Sequence, residues 1–187
     1  MLEKLSCSDT ITLIMKHFLV IIDGPMGSGK TTVGKILHSK LKRTAVLSTD
    51  KIKFFLSDFE RGERDNSITA NVLLQMCREY IRQGINVLLA QGFWKKEFIE
   101  PYITFAKEND LALFVYQLEA SREVLLERIK NRPTPTIAKV PVPQKRIEEN
   151  FSVWSENKYE AQKVFNTETL PPEAIANLIL EDLKEWQ

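Results

Sequence analysis

Phe18-Leu19-Val20-Ile21-Ile22-Asp23-Gly24-Pro25-Met26-Gly27-Ser28-Gly29-Lys30-Thr31-Thr32 is the stretch on which the reading of this chain turns. Its first five residues are apolar, mostly branched, and lack polar alternation. That pattern predicts a strand buried on both faces, as at the centre of a parallel sheet. Asp23 to Gly29 is turn chemistry. Beyond it Val33, Ile36, Leu37 and Leu41 recur at the spacing of one helix face. A buried strand, a glycine-rich turn and an amphipathic helix therefore follow one another without a gap.

Gly24 to Thr31 fills every position of the pattern G-x-x-x-x-G-K-[ST] in the strand-before, helix-after context that gives the pattern its meaning. Glycines let a backbone wrap closely round a phosphate. The loop amides then point inward, helped by the positive end of the following helix. Lys30 is placed to reach the β- and γ-phosphates of ATP, and the Thr31 hydroxyl to ligate Mg²⁺. Gly24, Pro25, Met26, Gly27, Ser28, Gly29, Lys30, Thr31 and Thr32 are the expected nucleotide contacts, with Thr31 at the metal.

Outward from this P-loop, strands and helices alternate. Thr44 to Asp50 reads as a second strand, leading into a short helix at Ile52–Leu56. Residues 57–66 are polar and read as an exposed loop. Helical spacing resumes from Ser67 to Gln83, closed by Gly84. Asn86 to Ala90 is a third strand and Leu111 to Leu118 a fourth. Lys95 to Asn109 reads as helix, as does the segment from Ser121 to Lys130. Pro133, Pro135, Pro141 and Pro143 make residues 132–143 a loop, because proline lacks the amide a helix needs. A helix at 144–157, a short strand at Val164-Phe165 and a terminal helix after Pro171-Pro172 complete the chain. The alternation implies a three-layer α/β fold in one domain over residues 1–187, with a parallel sheet of about five strands.

The bulk properties narrow the function. Acids and bases nearly cancel, at a formal net charge of +1, so the basic excess of a nucleic-acid binder is missing. Cys7 and Cys77 have neither metal-ligand nor disulfide-framework spacing and read as reduced thiols. No apolar run reaches the roughly 20 residues of a membrane helix, and the first residues lack a signal-peptide pattern. We expect a cytoplasmic enzyme, with residues 1–14 an extension outside the fold and Met15 a second candidate start.

Two further groups fit phosphoryl transfer. The carboxyl ends of strands line the ligand crevice of an open α/β sheet, so Asp50, at the end of the second strand, is expected to face the phosphate loop. There it either holds or deprotonates an acceptor hydroxyl, or caps the next helix. Lys53, one turn on, is placed to hold an anionic part of the acceptor. Arg128 and Arg132 lie one turn apart before the proline-rich loop; a guanidinium fork suits the γ-phosphate. Lys139 and Arg146 are further basic candidates there. Asp23 is expected to satisfy loop amides, and Phe93, with Trp94, to pack or to line an acceptor pocket.

Ser48-Thr49-Asp50-Lys51-Ile52-Lys53, at this distance after such a loop, resembles the small AAA-type P-loop kinases that include polynucleotide 5′-hydroxyl kinase domains. Gluconate kinase and the zeta-toxin and chloramphenicol phosphotransferase groups are wider relatives. The resemblance runs from about Phe18 to Asn157. It implies the strand order 2-3-1-4-5, a general-base role for Asp50 and acceptor binding by Lys53. It also implies a lid over 132–143, preceded by Glu127 to Arg132, whose Arg128 and Arg132 touch the transferring phosphoryl group. The sequence departs at Gln91, where the polynucleotide kinases carry an aspartate. Gln91 has no charge to offer, though its amide suits an acceptor or a water. The expected activity is ATP- and Mg²⁺-dependent transfer to a hydroxyl of a small molecule. A polynucleotide 5′-hydroxyl kinase and a non-catalytic ATP-binding regulatory module are the alternatives.

Overall fold

The structure, a computed structural model, describes residues 17–60, 62–93, 95–131, 144–156 and 159–186. The expected extension 1–14, the lid loop 132–143 with Arg132 and Lys139, and Trp94 lie outside the described residues.

Strand β1 (Phe18–Asp23) is buried at every position and leads through the phosphate loop into α1 (Lys30–Lys40). Then come β2 (Thr44–Leu47), α2 (Thr49–Lys53), α3 (Glu63–Arg82), β3 (Asn86–Ala90) and α4 (Lys96–Glu108). The second half holds β4 (Ala112–Glu119), α5 (Arg122–Lys130), α6 (Gln144–Glu156), β5 (Lys163–Asn166), α7 (Pro172–Asp182) and a 3₁₀ turn, Lys184–Trp186. The five strands form one sheet in the order β2-β3-β1-β4-β5, with every neighbouring pair parallel. This is the three-layer α/β fold that the alternation of elements predicts, in the strand order that the family resemblance implies.

The alternation along β1 sets the two cores. Phe18, Val20 and Ile22 face Val33 and Leu37 of α1 and Ile175 and Ile179 of α7. Leu19 and Ile21 face Leu73 of α3 and Ile99 and Phe105 of α4. Each side chain packs against a helix, so truncating a large one to alanine costs about 2–5 kcal/mol. That rigidity fixes the carboxyl ends of β1 and β3, where the site lies.

Three boundaries differ from the sequence reading. The short helix expected at Ile52–Leu56 is α2, three residues earlier, because the turn starts at the Ser48 N-cap. Helix α3 starts at Glu63, so part of the expected 57–66 loop is helical. Its first turn is largely exposed and carries Glu63 and Asp65, which the helix dipole favours but an apolar period cannot register. Strand β2 stops at Leu47, so Asp50 does not end a strand. It lies in the first turn of α2, whose N-cap is Ser48 rather than Asp50.

Candidate active site

The phosphate loop is shaped by three glycines at positive φ: Gly24 at 148°, Gly27 at 85° and Gly29 at 94°. Gly24 is needed on two counts, since a Cβ there would also lie 2.3 Å from the Leu118 carbonyl oxygen. At Gly29 a Cβ would meet no atom within 4 Å. The constraint there is the backbone turn alone, and the space in front of α1 is open. Within the loop the Ser28 amide donates to the Pro25 carbonyl at 3.2 Å. Lys30 folds back over the loop, donating to the carbonyls of Gly24 (2.8 Å) and Pro25 (2.7 Å). The ammonium thus sits inside the curve, and Thr31 and Thr32 are exposed at its mouth. Open space, a helix N-terminus and a central ammonium fit a polyphosphate. The fit to Mg²⁺ is the exposed Thr31 hydroxyl, because this ion keeps several waters and takes few protein ligands.

Asp23 anchors the loop from below. It is fully buried, with Oδ1 accepting from the Phe93 amide at 2.8 Å and Oδ2 accepting from the Tyr159 hydroxyl. Burial pushes its carboxyl above the ordinary value. The Tyr159 hydroxyl, the Phe93 and Gly24 amides and the Lys30 charge oppose that push. These bonds are of the kind expected of a residue that satisfies loop amides. Phe93 is packed too, edge-on to Tyr102 with ring centroids 5.5 Å apart. Nothing near Tyr159 in sequence signals its bond to Asp23.

Of the residues expected to meet the acceptor, Asp50 stands 86% exposed on α2, and the Lys53 ammonium reaches it at 3.2 Å. Lys53 also lies over the Phe59 ring, 5.7 Å from its centroid. The Asp50 end of this pair is open to solvent, which screens it. Gln91 is engaged: its side-chain Oε1 accepts from the Thr49 amide at 2.7 Å, and its backbone N–H donates to the Ile22 carbonyl at 3.2 Å. Ser48 makes no side-chain cap bond, so Gln91 satisfies an orphan amide of α2 in its place. It ties the helix bearing Asp50 to the strand end beside the phosphate loop. The sequence reading of Gln91 as a contact to an acceptor or a water does not foresee this bond to the Thr49 amide.

Arg128 likewise differs from its expected place at the phosphates. Its fork donates to the Thr167 hydroxyl (2.7 Å) and the Thr167 carbonyl (2.8 Å), joining α5 to the turn after β5. On α6, Asn150 is buried and its Oδ1 accepts from the Met26 amide at 2.9 Å. Nothing near Asn150 in sequence signals this contact. Among the described residues no helix is long and apolar enough to cross a membrane, and no acidic or histidine cluster forms a metal site.

Comparison with known proteins agrees with this geometry. The family model described as an AAA domain matches residues 19–154. A shikimate kinase of Thermodesulfovibrio yellowstonii is 27% identical over 181 residues, covering 90% of this chain and 95% of the relative. Among solved structures, a sugar kinase from Janibacter sp. HTCC2649 superposes with a TM-score of 0.67 at 14% identity, covering 90% of this chain and 95% of the other. The Deinococcus radiodurans tunicamycin resistance protein gives 0.64 at 18% identity, covering 90% and 96%. With a complete phosphate loop at the head of α1 and a match across most of its length, the chain belongs to the AAA domain family and is a kinase of the small P-loop class.

Proposed function

We propose that the protein transfers the γ-phosphoryl group of ATP to a hydroxyl of a small molecule. The observation that carries the reading is the phosphate loop itself: three positive-φ glycines curled round the Lys30 ammonium, with open space before α1. Loop amides and Lys30 bind the β- and γ-phosphates, and Thr31 holds Mg²⁺, which screens phosphate charge when bound. Asp50, exposed on a helix that Gln91 caps, orients the acceptor hydroxyl and takes its proton as the oxygen attacks phosphorus in line. Lys53, already beside Asp50, binds a polar or anionic acceptor group. Arg132 is assigned the charge developing on the γ-phosphoryl group from its sequence position alone. Arg128 has its donors on Thr167 and is assigned a supporting role. Catalysis rests on positioning and electrostatics. The near-neutral charge of the chain favours a small acceptor over a nucleic-acid end.

The test is Mg²⁺-dependent ADP formation by the purified protein against shikimate, sugars, nucleosides, nucleoside antibiotics and 5′-hydroxyl oligonucleotides. Turnover on one class, with phosphate recovered on its hydroxyl, is the expected result. ATP binding without transfer to any acceptor would move the protein to a regulatory role. Transfer to oligonucleotides alone would make it a polynucleotide kinase.

A further inference from the structure

Two side chains from the second half of the chain hydrogen-bond to the phosphate loop and its foot. The Met26 amide, in the first half of the loop, is held by Asn150 Oδ1 across 124 residues of sequence. Asp23, at the foot of the loop, is held by the Tyr159 hydroxyl across 136 residues. Asn150 lies on α6, and Tyr159 lies three residues beyond its end. Both contacts are sheltered, with Asn150 and Asp23 almost wholly buried. A hydrogen bond in such surroundings is costly to leave half made. Asp23 has a second duty, since its other oxygen holds the Phe93 amide beyond β3. The carboxylate therefore sits between the nucleotide loop, the loop after β3 and the exit of α6.

We propose that Tyr159 and Asn150 are positioning residues of the phosphate loop, Tyr159 acting through Asp23 and Asn150 through the Met26 amide. This rests on the reading of the loop as a polyphosphate site. The Met26 bond fixes which way the Pro25-Met26 peptide faces. The Tyr159 bond fixes the carboxylate on which the first glycine follows. Loss of either lets the loop amides spread over several orientations, and the cost falls on phosphates bound by those amides. Adenosine and its α-phosphate, which depend less on the loop, are spared.

The experiment measures calorimetric affinities of the full chain for Mg·ATP, Mg·ADP and AMP, with Tyr159→Phe, Asn150→Ala and the parent compared, and thermal midpoints alongside. Each variant is expected to weaken ATP and ADP about tenfold, as for a lost buried hydrogen bond. AMP should change less than about twofold. Tyr159→Phe removes one oxygen and keeps the ring, so it supplies the answer even where Asn150→Ala fails to fold. Unchanged ATP affinity in Tyr159→Phe overturns the proposal, whatever the thermal midpoint does, and leaves the kinase reading standing. Equal weakening of ATP, ADP and AMP also overturns it, because the loss then lies in the fold at large. A parent protein that binds none of the three nucleotides overturns both readings together.

Discussion

The phosphate loop and helix α2, the proposed nucleotide and acceptor sites, are built in opposite ways. The loop is enclosed: Asp23 is fully buried beneath it, Gly24 leaves no room for a Cβ, and Asn150 holds its Met26 amide. Helix α2 is short, with Asp50 86% exposed and Phe55, just beyond it, 75% exposed. Backbone geometry holds the loop in shape before any ligand arrives, which suits a phosphate chain common to all kinase reactions. Helix α2 carries Asp50 on its exposed face, and is anchored by the buried Ile52 and by the Gln91 cap on the Thr49 amide. Shape there is left to the ligand, and exposed side chains vary without harm to the core. The difference explains why the nucleotide is legible in this protein and the acceptor is not.

Breaking the enclosed side should cost most. Lys30→Ala removes the ammonium at the centre of the loop, and we expect transfer to fall by on the order of 10³ or more, with ATP affinity falling too. Nucleotide titration and turnover of the same preparation check this; intact ATP binding would show that the loop works without its charge. Breaking the open side should separate binding from chemistry. Asp50→Asn is expected to leave ATP affinity within a few-fold while lowering transfer by on the order of 10². Near-normal turnover would remove the general-base role. The smallest effect sharpens the contrast. Phe55→Ser removes an exposed ring, so stability should move by no more than about 0.5 kcal/mol and ATP affinity not at all. A raised KM for the acceptor alone would place Phe55 in its pocket. A large fall in thermal midpoint would show that α2 is packed more firmly than its exposure indicates.

Much of the fold was legible because it depends on local patterns. The unbroken apolar run of Phe18 to Ile22 could only be a strand covered on both faces, and the glycine spacing after it dictates the turn. Asn86 to Ala90 matches β3 to the residue for the same reason. The first turn of α3 was missed because exposed polar residues carry no apolar period. Strand β2 was read too long because Ser48-Thr49-Asp50 resembles a strand end until the helix geometry is seen. Arg128 was placed at the phosphates because a free arginine near a lid fits them, and Thr167, its actual partner, lies 39 residues away.

By itself the sequence determined the sheet, its alternation with helices, and the phosphate loop, because each follows from neighbours along the chain: apolar spacing, glycine freedom and one lysine. Only the tertiary structure decided what those parts rest on. That Gln91 caps α2, that Asn150 holds Met26 and that Tyr159 meets Asp23 are consequences of packing β1 beside β3 and β4 and returning α6 to the loop. A glutamine, an asparagine or a tyrosine bonds equally well to many partners, and burial beside one particular amide or carboxylate is what selects among them.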